Sequence, residues 1–353
     1  MANTVPRRWR ASAVVAVILA CPLAAAGQAP GCVPVSTQRL VVYRAGSLTS
    51  AFKPLVAAFT CQTGIQVQDV AMGSVDAARQ ITAGRQACDL YATADDSDID
   101  LFLKPAGYAA YTIVFARGRM VLAYSARRVA DKKLAPISEP IGSAPDEVPR
   151  AVARWYEILT APGVTIGTGH PFLDPGAYRA DMIFQLAEAY YGVPNLHNAL
   201  LEHVVIPGAD HSGPALGDRF DFQFIYEHSA RAMARSNPDV RYVALPAGID
   251  MSDPAKDAYY RQHALVVLPG LGTPHSARTV AVPGARVAWG ITVLNTAPNR
   301  ENAIRFLQLL LGQTGTAMLA EVGPVPVAPA LVSPADFRYL PEALRPLVRR
   351  AER

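Results

Sequence analysis

The amino-acid sequence predicts an α/β protein built on doubly wound sheets, and three observations carry that reading. Strand-like apolar runs alternate with helix-period segments from residue 40 onward. Two of those strands run into their helices through matching corners, Gly46-Ser47 and Gly73-Ser74. The 353-residue length, less an N-terminal leader, suits two lobes better than a single core.

The elements follow in order. Leu40–Tyr43 reads as a buried strand, and Phe52, Leu55, Val56 and Phe59 mark the core face of the helix after it. Gly64–Val70 is a second strand, and Gly73-Ser74-Val75 opens a second helix reaching about Gly84. Asp89–Ala94 is a third strand, ending in Asp95-Asp96, which completes a βαβαβ start. Phe115–Tyr124 is apolar with a charged kink at Arg117–Arg119, a candidate crossing to a second lobe. Pro136–Pro149 reads as a surface loop. Trp155–Leu159 is helical up to Pro162-Gly163, and Val164–Ile166 is a strand followed by the loop Gly167–Pro175. Met182, Leu186, Ala189 and Tyr190 give a helix face across Tyr178–Tyr191. Phe220–Tyr226 is a strand, and Val287–Leu294 is the strand that returns to the first lobe. Asn299–Leu311 is a helix stopped by Gly312, with a shorter one ending at Gly323.

The first residues carry Arg7, Arg8 and Arg10, then an apolar run Ala11–Ala20, then Ala24-Ala25-Ala26. This is the layout of a secretory signal over residues 1–26, with cleavage expected after Ala26 and export to the periplasm. Ile18-Leu19-Ala20-Cys21 loosely resembles a lipobox, so lipid anchoring at Cys21 is the rival outcome. Removing three of the 33 basic residues with the leader leaves 30 against 29 acidic ones, a balance that favours neither nucleic acid nor a basic membrane face. A monomer is expected. The mature chain keeps Cys32, Cys61 and Cys88, with no Cys-x-x-Cys pair to suggest zinc. One intramolecular disulfide fits an oxidising compartment. Cys61–Cys88 is the expected pairing and Cys32–Cys61 its rival.

Ser47 sits where a strand ends and a helix begins, so unpaired N–H groups there could cradle an anion without any lysine or arginine. Ser74 repeats the arrangement one strand on, and in doubly wound sheets ligands bind beyond the carboxyl ends of the strands. Either serine could instead simply cap its helix. Asp174 lies in the loop GTGHPFLDPGAYR just before a helix, with Pro175 next to it; locally it reads as an N-cap. Glu227 ends the Phe220–Tyr226 strand, where a solvated carboxylate is the ordinary reading.

Several segments together carry a more specific resemblance. AGSLTSAF (45–52), GSVDAARQI (73–81), YATADDSDID (91–100) and FARGRMVLAYS (115–125) are followed by RWYEILTAPGV (154–164), HPFLDPGAYR (170–179) and DFQFIYEHSA (221–230), and last by VAWGITVLNTAPNRENAIRFLQLLLG (287–312). In this order they resemble the archaeal-type tungstate/molybdate-binding proteins, the extracytoplasmic receptors of ABC importers. The resemblance implies a two-lobed fold of the type II periplasmic-binding-protein kind, each lobe a doubly wound mixed sheet, joined by two crossing strands. It implies one lobe from residues 38–118 and 287–353, another from 119–286, and an ABC permease as partner. It implies no cofactor and no catalysis. Gly46-Ser47 and Gly73-Ser74 would hold the oxyanion, with Asp174 and Glu227 as carboxylate ligands of its metal and Tyr226 a further contact. The family's Asp-Pro-Cys-Gly-Tyr-Arg here reads Asp-Pro-Gly176-Ala177-Tyr-Arg, and Ile225 competes with Glu227 for the second position.

Those residue types suit such a ligand. Hydroxyls, backbone N–H groups and helix N-termini can hold a tetrahedral oxyanion. A carboxylate 4 Å from a unit anion is repelled by about 4 kcal/mol at an effective dielectric of 20, and roughly twice that by a dianion. Sulfate and phosphate would be rejected. Molybdenum(VI) and tungsten(VI) can expand their coordination and accept the carboxylate as a ligand, so Asp174 would select metal oxyanions. Two alternatives remain: the same fold binding sulfate, phosphate or another anion, and a secreted serine hydrolase, although no G-x-S-x-G elbow is present.

Overall fold

The computed structural model describes residues 32–84, 87–134, 154–206, 216–270 and 279–351. The leader, Cys21 and the loop expected over Pro136–Pro149 lie outside the described residues. Residues 32–351 belong to one compact unit holding two large mixed sheets and a small hairpin.

The first strand, β1 (Arg39–Ala45), is apolar and buried from Leu40 on, as the sequence requires. It pairs in parallel with β2 (Gln66–Met72) on one side and β3 (Leu90–Thr93) on the other. Beyond β3 come β12 (Ala288–Val293), β4 (Ile113–Arg117), β13 (Val325–Val332) and β14 (Val348–Arg350), making a seven-stranded sheet in the order 14-13-4-12-3-1-2. The helix Thr49–Thr63 follows β1 and ends at Gly64, whose φ of 69° is the left-handed conformation a helix C-terminus uses. Its buried face, Phe52 and Phe59, packs against Phe306 of the helix Arg300–Leu311 at ring distances of 5.9 and 5.3 Å. Each such buried aromatic stabilises the lobe by about 2–3 kcal/mol through burial.

The second sheet has five strands: β5 (Met120–Ser125), β6 (Ile166–Gly167), β7 (Val204–Val205), β8 (Phe222–Tyr226) and β9 (Val240–Ala244), in the order 7-6-8-5-9. Trp155 is fully buried under it, edge-on to Phe224 at 5.4 Å, and Phe184 meets Phe224 at 5.3 Å. The hairpin β10 (Leu265–Pro269) and β11 (Thr279–Pro283) packs beside the helix Pro175–Tyr191, with Gln185 bonded to both backbone groups of Leu265.

The fold is therefore the two-lobed α/β arrangement the sequence predicts. The apolar run at 115–124 divides between the sheets, β4 lying in one and β5 in the other. At the bend Gly118 N–H donates to the Val287 carbonyl at 3.1 Å, Val287 N–H to Met251 at 2.7 Å, and Met120 N–H to Asp250 at 2.9 Å. Three chain segments thus cross side by side. Gly118 is required there because a Cβ would stand 2.9 Å from the Trp289 ring. Among the described residues no helix is long and apolar enough to cross a membrane.

The disulfide joins Cys32 to Cys61, which corrects the expected Cys61–Cys88 pairing. Val35 and Ser36 N–H groups both bond to the Gly64 carbonyl, which draws the N-terminal segment, and Cys32 with it, to the end of the first helix. Cys88 is buried instead beside β1 and β3, its thiol 3.1 Å from the Leu90 carbonyl, and burial pushes its pKa up to about 12.

Candidate oxyanion site between the two sheets

A cavity of about 270 Å³ opens at the carboxyl end of β1, between the sheets. Gly46 and Ser47 line it from one side; Thr168, Asp174, Ile225, Tyr226 and Ser229 are among those lining it from the other.

Ser47 lies in a single 3-10 turn, Gly46–Leu48, that joins β1 to its helix. Its hydroxyl does not cap that helix. It accepts a hydrogen bond from Trp289 Nε1 at 3.1 Å, which leaves its own O–H proton available to a ligand oxygen. The Ser47 carbonyl is bonded to His228 Nε2 at 2.8 Å. A carbonyl can only accept, so His228 carries its proton on Nε2; burial depresses its pKa to about 4 and keeps the ring neutral. Tyr226, His228 and Trp289 pack together with ring centroids 4.9 to 6.0 Å apart.

Asp174 is the N-cap of the helix Pro175–Tyr191, its Oδ1 accepting from Gly176 N–H at 2.9 Å. It also lines the cavity, so the cap and a place on the site belong to the same side chain. The helix Glu227–Ser236 begins at the cavity too, with Tyr226 at its N-cap and no side-chain cap bond. Its N-terminal dipole adds positive potential there.

Two of the expected residues stand elsewhere. Ser74 is fully buried outside the cavity lining, and its hydroxyl accepts from Ala94 N–H at 3.1 Å. The helix start above it is occupied: Val75 and Asp76 N–H groups donate to the Leu173 carbonyl at 3.1 and 3.3 Å. Gly73 permits this approach, since a Cβ there would lie 2.3 Å from that oxygen. The Gly73-Ser74 corner therefore clasps the Asp174 loop rather than facing open space. Glu227 also lies outside the lining, its Oε1 paired with Arg119 at 2.9 Å. The arginine that follows the strand crossing takes up the carboxylate, and Asp174 is the acidic residue on the cavity wall.

Sequence reasoning missed what lies behind the wall. Tyr178 and Arg179, from the Asp-Pro-Gly-Ala-Tyr-Arg segment, reach across to the end of β3. Tyr178 donates to Asp95 Oδ2 at 2.8 Å; Arg179 Nη1 donates to the Ala94 carbonyl at 2.5 Å and to the Tyr226 hydroxyl at 3.0 Å. Arg179 Nη2 lies 3.0 Å from Asp95, and the arginine is 1 % exposed. Since a guanidinium only donates, the Tyr226 oxygen must accept, and its proton is directed elsewhere. Burial, then repulsion from Asp95, raises the pKa of Asp96 to about 7 and lifts Asp98 well above the carboxylate range. Thr168 was also missed. Its flanking glycines after β6 repeat the pattern of a strand ending in a glycine-hydroxyl corner, and that signal could have found it.

Residues 40–323 match a family described as bacterial extracellular solute-binding proteins. The chain is 30% identical over 374 residues to a molybdate/tungstate-binding protein of Thermococcus kodakarensis, covering 95% of this chain and 96% of that one. A molybdate/tungstate-binding protein of Pyrococcus abyssi is 30% identical over 88% of this chain and 90% of its own. Among solved structures, the sulfate-binding protein SubI of Mycobacterium tuberculosis superposes with a TM-score of 0.55 at 17% identity, over 82% of this chain and 87% of SubI. The periplasmic molybdate-binding protein of Azotobacter vinelandii gives 0.53 at 16% identity, over 81% and 98%. At such identities these two likenesses speak for the fold.

Proposed function

The chain belongs to the bacterial extracellular solute-binding protein family, and from that premise we propose that it captures molybdate or tungstate between its two lobes and hands it to an ABC permease. The observation that carries this reading is a wall that combines neutral donors with one carboxylate. Ser47 O–H, Tyr226 O–H and the start of the helix Glu227–Ser236 can solvate oxyanion oxygens, while Asp174 puts on the same wall a carboxylate that a metal centre can take as a ligand. In this reading Ser47 and Tyr226 hold oxygens and Asp174 Oδ2 ligates the metal while Oδ1 keeps its cap. Gly46 lets the ligand approach the backbone. Val75 and Asp76 N–H groups hold the Leu173 carbonyl, an approach Gly73 permits, Ser74 stays behind them on Ala94 N–H, and Glu227 remains with Arg119. The Arg179 guanidinium, buried behind Tyr226, offsets part of the ligand's charge.

Residues 38–118 with 287–353 form one lobe and 119–286 the other, closing about the crossing at Gly118 and Val287. The chain works as a periplasmic monomer after loss of residues 1–26, without cofactor and without chemical turnover. The molybdate/tungstate reading is supported by the 30% identity to archaeal molybdate/tungstate-binding proteins along almost the whole chain.

Isothermal titration against tungstate, molybdate and sulfate tests the reading. One site per chain is expected for the two metal oxyanions, with sulfate weaker by about two orders of magnitude or more, since carboxylate–dianion repulsion at close range is worth several kcal/mol. Tight sulfate binding with no response to the metal oxyanions would overturn it.

A further inference from the structure

Away from the cleft, a second cavity of about 340 Å³ opens beside the strand crossing. Arg117 at the end of β4, Arg286 just before β12, Arg349 on β14 and Ser252 are its polar walls. It exists because β13 pairs unevenly with β4. The register shifts between Pro326 and Leu331, and the slack chain stands off the sheet as one wall of the cavity.

Three guanidiniums therefore line one concavity, and no carboxylate lines it. Arg286 has partners behind the wall, Asp257 at 2.8 Å and Asp96 at 3.7 Å. The side chains of Arg117 and Arg349 are exposed and make no hydrogen bond or ion pair among the described residues. Neither holds the fold together; the neighbouring Arg350, by contrast, packs on the Phe337 ring at 4.4 Å. Like charges converging on a concave, partly apolar surface focus positive potential and raise the local concentration of anions. Guanidinium forks match carboxylate and phosphate oxygens in paired geometry. Two unpartnered forks call for two acidic groups, and the volume exceeds what one tetrahedral oxyanion needs.

We propose that this cavity is a second anion site, distinct from the interlobe cleft, for a small molecule bearing two or more carboxylate or phosphate groups. Arg117 and Arg349 grip the acidic groups, Arg286 adds only the charge its pairing with Asp257 leaves over, and the Ser252 hydroxyl supplies a neutral donor. The proposal stands apart from the cleft reading, because it shares none of the cleft's residues.

The test is titration of the mature chain with citrate and, separately, with pyrophosphate at constant ionic strength. Saturable binding of at least one probe is expected; a response to citrate alone identifies a carboxylate ligand, to pyrophosphate alone a phosphate ligand. The Arg117→Gln/Arg349→Gln double variant should weaken that binding by about tenfold or more, as should Arg349→Glu by itself. Both variants should melt close to the wild type, since the side chains are exposed, and should titrate molybdate unchanged. Absence of binding by both probes, or equal binding by wild type and double variant, overturns the proposal.

Discussion

Val75 donates its backbone N–H to the carbonyl of Leu173 at 3.1 Å, so that the start of a helix on one sheet is capped by a loop from the other. The loop that carries Asp174 is thereby fixed by the opposite lobe. In the proposed reading, closing the lobes and setting the carboxylate would be one event.

Gly73→Ala should uncouple them. A Cβ 2.3 Å from the Leu173 oxygen forces the loop back, while the extended conformation of residue 73 (φ −62°, ψ 138°) suits alanine well. Tungstate affinity should fall about tenfold or more, at the cost of reopening the closed state. Titration calorimetry beside a melting curve checks this: a large loss of affinity with little change in melting temperature is expected. Unchanged affinity would mean the contact plays no part in closure.

Asp174→Asn separates the two roles of that residue. Asparagine caps helices about as well as aspartate, so the Pro175–Tyr191 helix keeps its first turn. The charge is gone, and with it the discrimination. Molybdate and tungstate should weaken by about two orders of magnitude while any sulfate binding improves. Parallel losses for all three anions would show that Asp174 is a cap only.

Asp250 lies at the crossing, 1 % exposed, with its pKa raised to about 6, chiefly by burial. The sign follows from the raised value. The folded protein holds this proton more tightly than the unfolded chain, so the favourable contribution is complete below about pH 4 and is lost as pH rises through about 6. Above pH 6 the buried charge costs on the order of 3 kcal/mol. Asp250→Asn can still accept from Ser252 N–H, a bond of 2.9 Å here. The variant should therefore be the more stable protein at pH 7.5 and lose its advantage by pH 4. Melting curves across that range decide, and a constant difference between the two proteins would refute the assignment.

The Cys32–Cys61 link closes a loop of sequence separation 29. Its removal by Cys32→Ser/Cys61→Ser should lower stability by about 3 kcal/mol, read by urea denaturation. Cys88→Ala should leave the disulfide intact, and thiol titration of the native protein should find Cys88 unreactive. Rapid labelling of Cys88 would contradict its burial.

The sequence made the first lobe legible because its pattern is local: apolar strands, helix-period faces and glycine corners lie within ten residues of each other. The Ser47 corner and the Asp174 cap were legible for the same reason, whereas a place for Asp174 at the site was implied only by the family resemblance. The fates of Ser74 and Glu227 were not legible, since each is decided by a distant partner, the Ala94 N–H for one and Arg119 for the other. The disulfide depended on where the N-terminal segment docks, which no spacing reveals. Val325–Val332 carries Pro326 and Pro329, residues that argue against a strand, and the sheet accepts them only by slipping register.

The indole of Trp289 touches the cavity-lining serine directly through the 3.1 Å bond to Ser47. Of the three tryptophans in the chain, Trp9 lies in the expected leader, and Trp155 is sealed under the second sheet. Trp289 is thus a native optical probe wired to the cleft. On the proposed reading, an oxyanion that takes up the Ser47 hydroxyl should perturb the excited state of one identifiable chromophore. Ligand arrival can be followed by ultraviolet emission in unlabelled protein, and Trp289→Phe provides the blank.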